Sequence, residues 1–160
     1  MAVAYGQDSH TLEAVYAAYK EGLVDPILYG DKEVIEQVCK DLNIDSTIFQ
    51  IVDEKNDVKA ANLAVLAVAN GEADMLMKGT LPTDKYMRAI LNKEAGLCPP
   101  KATLSHVSVF EWAGYHKLLL ASDIAILPLP DFKQKQALIG YLGKVANALG
   151  VATPKIACIA

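Results

Sequence analysis

Residues Gly71 to Thr83 read Gly-Glu-Ala-Asp-Met-Leu-Met-Lys-Gly-Thr-Leu-Pro-Thr, and several of these side chains could face an anion. Lys78 brings an ammonium, Gly79 allows close backbone approach, and Thr80 adds a hydroxyl. Thr83 reads as the N-cap of a helix running to about Asn92, and helix N-termini attract negative charge. Arg88, the chain's only arginine, follows on that helix, about 7.5 Å of rise from Thr83, within reach of the same mouth. Each residue also has a plainer use. Lys78 can be a solvated strand end, Gly79 can serve only its turn, and Arg88 can pair on the surface with Asp84, four residues earlier. No Walker loop and no GxGxxG accompany them.

Ser105, His106 and Asp123 are weaker candidates. Ser105 and His106 are neighbours at the start of a strand-like run, so they point to opposite faces and make a poor nucleophile–base pair. His106 reads first as a hydrogen-bonded interior or edge histidine, and Asp123 as a cap after a strand. Trp112 and Tyr115 sit at a hairpin tip and serve packing or an interface. Cys39, Cys98 and Cys158 are widely spaced, odd in number and without metal-ligand spacing. We expect reduced thiols, no metal site and no tightly bound cofactor in a cytoplasmic protein.

Composition sets the outer limits. The 160 residues are 52% apolar and 21% charged, with a net charge of -4. That balance gives a globular core and no basis for broad nucleic-acid or anionic-membrane binding. No apolar run reaches the roughly 18 residues of a membrane span, and Met1 leads directly into strand-like sequence without a signal segment.

The elements that must position these residues alternate. Val3–Tyr5, Pro26–Gly30, Ile48–Val52 and Met75–Met77 are short apolar runs that read as strands. Helices are predicted between them: Asp8 or Ser9 caps one ending before Gly22, and Asp31 caps a second. Asp57 opens a third, alanine-rich and apolar almost all round, which should be heavily buried. After Cys98-Pro99-Pro100 the pattern changes. Leu104–Trp112 and His116–Ala121 read as an antiparallel pair, Ile124–Leu127 as extended chain, and Asp131 as the cap of a long helix with Leu138, Tyr141, Leu142, Val145 and Leu149 on one stripe. Lys155–Ile159 reads as one more buried strand. The expected fold is a single α/β domain over residues 1–160, three-layer α/β/α, with a mainly parallel sheet plus an antiparallel pair. A chain ending on a buried strand suggests one part of a longer protein.

Six segments in order carry a resemblance: VAYGQDSHTLEAV, GLVDPILYGD, GEADMLMKGTLPT, LSHVSVFE, KLLLASDIAILPLPD and LGVATPKIACIA. Together they resemble the first half of the phosphate acetyl/butyryltransferase family, on its butyryltransferase side. The resemblance implies a two-domain fold like that of isocitrate and isopropylmalate dehydrogenases, truncated here, with the active site in the cleft. It also implies reversible transfer of a short acyl group between coenzyme A and inorganic phosphate. Coenzyme A is then a substrate, along with phosphate and acyl phosphate. Lys78, Gly79, Thr80 and Thr83 would line the cleft. Arg88 falls where related acetyltransferases carry arginine in a Thr-x4-Arg pattern, and would bind the phosphate or acyl-phosphate oxyanion.

The resemblance also marks what this chain lacks. Family members continue into a Ser-Arg-x-Asp segment whose serine and aspartate are usually assigned to catalysis, so the catalytic residues are expected beyond Ala160. This chain alone is then expected to be inactive, and a homo-oligomer is expected for the enzyme. The competing reading is a non-catalytic anion- or nucleotide-binding domain of the same fold.

Overall fold

A computed structural model describes residues 1–159, so Ala160, where the sequence places the end of this half, lies outside the described residues. The chain forms two compact units, Met1–Pro100 and Lys101–Ala160.

In the first unit, strands β1 (Ala2–Ala4), β2 (Ile27–Gly30), β3 (Gln50–Asp53) and β4 (Leu76–Lys78) form one sheet in the order β3-β2-β1-β4. Every pairing is parallel; Ala4 lies opposite Tyr29 on one side and Lys78 on the other. The crossovers are helices α1 (Ser9–Lys20), α2 (Lys32–Asp41) and α3 (Asp57–Ala69), and α4 (Thr83–Ile90) follows β4. Because strand side chains alternate faces, β1 divides the core in two. Val3 joins Leu12, Val15, Leu28, Ile35 and Cys39 beneath α1 and α2. Ala2 and Ala4 meet Ala60, Ala61, Ala64 and Val65 of α3 on the other face. Small residues on both sides let α3 sit close to the sheet. That contact buries one face only, and Val58, Leu63 and Leu66 remain exposed, so α3 is less enclosed than its composition suggests.

Local signals place the helix ends. Asp8 accepts from the Thr11 N–H and hydroxyl, Asp31 accepts from Glu33 and Val34, and Asn56, one residue before the expected Asp57, accepts from Lys59. Gly71 ends α3 with φ of +76°, a left-handed value that side-chain-bearing residues rarely adopt. Thr83 does not cap α4. It is the first helical residue, the cap position is Pro82, and no side chain caps this end. Proline cannot offer an oxygen to the first-turn amides, so they stay open.

The second unit holds the expected antiparallel pair, β5 (Ser108–Phe110) against β6 (Leu119–Ala121), and helix α5 (Phe132–Ala148). Asp131 and Gln134 close a reciprocal capping box, and Gly150 follows with φ of +85°. Two expectations fail here, at Ile124–Leu127 and at Lys155–Ile159. Ile124–Leu127 is not extended: the Asp123 carboxylate accepts from the Ala125 and Ile126 N–H groups and turns the chain. Of the α5 stripe only Leu138 is buried, because β5 and β6 are too small to cover the rest. Lys155–Ile159 forms no strand and stands in water, with Ile159 90% exposed. Its apolar residues suit a sheet, but no described strand pairs with it.

Candidate functional site

The strand order sets the first location. From β1 the chain moves to β2 and β3 on one side, then returns past β1 to β4 on the other. Parallel α/β sheets bind ligands outside the carboxyl ends of strands at such a reversal. The loops leaving β1 and β4 meet there. Gly79 N–H donates to the Ala4 carbonyl at 2.8 Å, and Thr80 N–H donates to the Tyr5 carbonyl at 3.1 Å. The Thr80 hydroxyl donates to the same Tyr5 oxygen at 3.2 Å. A Cβ at Gly79 would lie 2.2 Å from that oxygen. Glycine is thus required by the approach of the two backbones, whatever else occupies the site.

Lys78 turns its ammonium back onto this loop, donating to the carbonyls of Gly79 and Leu81, each at 3.1 Å. Thr83 lies exposed in the first turn of α4, the one α-helix N-terminus among the described residues without a side-chain cap. Arg88 takes the plainer arrangement, with its guanidinium 3.9 Å from Asp84 and the two side chains 84% and 64% exposed. Helical geometry turns Arg88 about 140° away from Thr83 around the α4 axis. Lys85 pairs with Asp57, and hydrogen bonding from its ammonium holds that carboxyl below the usual range. Lys55 pairs with Glu33 and Asp31. Cations at this rim therefore have local partners, and the amides that open α4 have no side-chain acceptor.

Sequence reading passed over Tyr5. Its φ of +58° is unusual for a bulky residue, and it aims the carbonyl that receives Thr80. The usable signal was the Tyr5-Gly6 pair directly after a strand. A concavity of about 520 Å³ lies at the opposite end of this sheet, lined by Asp25, Gln50, Glu72, Asp74 and Met75 among others. It adjoins the ends where the strands begin, away from the reversal.

The second unit brings Ser105, His106 and Asp123 together, although 17 or more residues separate the aspartate from the others. One carboxylate oxygen of Asp123 accepts the Ser105 hydroxyl at 2.8 Å and the His106 N–H at 3.1 Å. The other oxygen holds the turn at Ala125 and Ile126. Burial would raise the Asp123 carboxyl, but these four donors outweigh it and hold the group well below the usual carboxylate range. Ser122, which sequence reading did not single out, donates to the His106 carbonyl at 2.7 Å. Its position beside a capping aspartate was the only hint. Ser105 donates to the aspartate, and the His106 ring contacts Ser108 instead. Ser105 is therefore not paired with the His106 ring, and the cluster ties the turn after β6 to the segment before β5.

Comparison with known proteins fits this architecture. The chain superposes over 96% of its length on the crystal structure of a branched-chain phosphotransacylase from Enterococcus faecalis V583, with TM-score 0.77 and 25% identity, covering 54% of that protein. Its fold is that of part of a phosphotransacylase. The chain belongs to the family described as phosphate acetyl/butaryl transferase, whose model matches residues 54–160 and so takes in the β4–α4 loop and the Asp123 cluster. It is 43% identical to the phosphate butyryltransferase of Clostridium acetobutylicum over 99% of this chain and 52% of that protein. It is 38% identical to the phosphate acetyltransferase of Thermotoga maritima over 99% of this chain and 53% of that protein. The chain thus spans about half the length of the curated relatives it matches.

Proposed function

We propose that this chain supplies the phosphate-facing half of an acyltransferase that moves a short acyl group reversibly between coenzyme A and inorganic phosphate. The observation that carries this reading is the family match across residues 54–160, which spans the β4–α4 loop and its open helix end. Coenzyme A is a substrate in this reading, and no tightly bound cofactor is required. The enzyme is a cytoplasmic homo-oligomer. Among the described residues no helix is long and apolar enough to cross a membrane.

The chemistry needs three parts: a base for the coenzyme A thiol, an acyl-phosphate carbonyl held for attack, and cations or dipoles for the departing phosphate. Lys78, Gly79, Thr80, Thr83 and Arg88 belong to the third part. The α4 amides face one end of the anion, Lys78 adds positive charge, and Arg88 exchanges its weak, solvent-exposed pairing with Asp84 for a phosphate oxygen. The thiolate attacks the acyl carbon directly, the carbon–oxygen bond to phosphate breaks, and no acyl-enzyme forms. The base comes from the half of the family fold that this chain does not span.

The test is reconstitution. With butyryl-coenzyme A and phosphate, the chain alone should release no thiol. Release should appear when the remaining half of a relative is supplied. Phosphate binding with no activity after assembly of both halves would instead favour a non-catalytic anion-binding domain.

A further inference from the structure

Among the described residues, Lys55, Lys85 and Arg88 at this rim pair with carboxylates, whereas the partners of Lys78 are backbone carbonyls. Its position is fixed from two directions. The Lys78 backbone is in register with Ala4 at the end of β4, so the sheet sets where the side chain starts. The ammonium then takes the oxygens of Gly79 and Leu81, one and three residues ahead. The loop it holds is already pinned beneath, by Gly79 and Thr80 on the β1 exit and by the Leu81 side chain, 1% exposed in the α3-side core. An ammonium has three N–H donors. Two are spent on the loop, and no described group takes the third.

We infer that Lys78 is a positioning residue: it clamps the 79–82 loop through two carbonyls and presents its third N–H and its charge to one oxygen of a tetrahedral oxyanion. This rests on the anion site proposed above. The clamp has a direct electrostatic purpose. Carbonyl oxygens of Gly79 and Leu81 left unpaired at the mouth would repel an anion, and the ammonium turns that local repulsion into attraction. It also fixes the approach to Pro82, and so fixes where the open amides of α4 stand. A lysine acting only as a mobile charge would need neither carbonyl.

Inorganic phosphate is the probe. In the wild-type chain the Lys78 ammonium resonance should be protected from rapid exchange, and phosphate should shift it together with the Thr83 and Asp84 amides. Lys78→Met keeps the stem and removes all three donors. We expect Thr80 amide exchange to quicken at least tenfold and phosphate affinity to fall about tenfold. Lys78→Arg restores the charge, but its planar fork cannot reproduce both carbonyl contacts, so it should recover less than half of the lost affinity. Unchanged Thr80 exchange in Lys78→Met, or full recovery of affinity by arginine, overturns the clamp. Should Lys78→Met not fold, the wild-type ammonium decides: rapid exchange without phosphate overturns the clamp, and protection supports it. A wild-type chain whose Thr83 and Asp84 amides ignore phosphate would defeat the anion site itself, a result separable from the exchange behaviour of the loop.

Discussion

Residues Met1–Pro100 and Lys101–Ala160 differ in how they use their apolar side chains. In the first unit a four-stranded sheet carries a core on each face, one against α1 and α2 and one against α3, and side chains such as Val3, Leu12, Leu28 and Ile35 are wholly buried. In the second, a two-stranded ribbon and one helix bury only Leu138 and Ala146 among the described residues. Phe110, Trp112, Leu118, Ile124, Leu129 and Phe132 all meet solvent there. A ribbon of two strands has too little surface to enclose a core. The two units also hold their loops differently. The first anchors its β4–α4 loop to a buried sheet, whereas the second relies on one carboxylate shared among four donors. An apolar interior tolerates loss of a single polar contact; a polar hub does not.

The sharpest way to break this comparison is to cut into both interiors. Leu28→Ala should cost about 4 kcal/mol, because the packed sheet cannot collapse around the gap. Leu138→Ala should cost about 2 kcal/mol or less, since its surroundings are open and free to close. Urea unfolding followed by circular dichroism, with Trp112 emission reporting on the second unit alone, measures both. Equal costs would show that the second unit is as tightly built as the first.

Gly79→Ala should cost about 3 kcal/mol, because its new methyl would strike the Tyr5 backbone and not a yielding side chain. The loss should appear in the first unit and leave Trp112 emission unchanged. A neutral result would mean that the two loops can part without penalty.

Asp123→Asn should cost about 2 kcal/mol, as a neutral amide replaces an acceptor of four hydrogen bonds. The pH dependence sharpens the point. The folded-state carboxyl lies below its unfolded value, so its stabilisation is complete above pH about 4 and fades as pH falls further. Acid titration of Trp112 emission should show this limb in the wild type and lose it in the variant. An identical acid limb in both would assign it to another group.

Arg88→Gln should be the mildest, changing stability by less than about 0.5 kcal/mol, since its pairing with Asp84 is exposed and long. Phosphate affinity should nonetheless fall several-fold in a titration of the Thr83 amide. Unaltered affinity would confine Arg88 to the surface pair.

Much of this fold was legible along the chain because its signals act over a few residues. Asp8, Asp31 and Asp131 reach amides two or three positions ahead, Gly71 and Gly150 need only their own left-handed backbone, and the alternation of Ala2, Val3 and Ala4 sorts one strand between two faces. The turn from alternating strands and helices to an antiparallel pair after Pro100 was legible for the same reason. Short-range geometry misled at Thr83, where a preferred capping residue follows a proline that takes the cap position itself. It also misled at Lys155–Ile159, because an apolar run records what a segment can bury but not whether a partner strand is beside it. The candidate site depended on longer distances still. That Lys78 bends onto its own loop, that Thr80 answers Tyr5 from 75 residues away, and that Asp123 gathers Ser105 and His106 all follow from where the fold sets each backbone. Residue types fix which charges and donors are available. Only the tertiary structure decides which of them are already spent on the protein and which remain for a ligand.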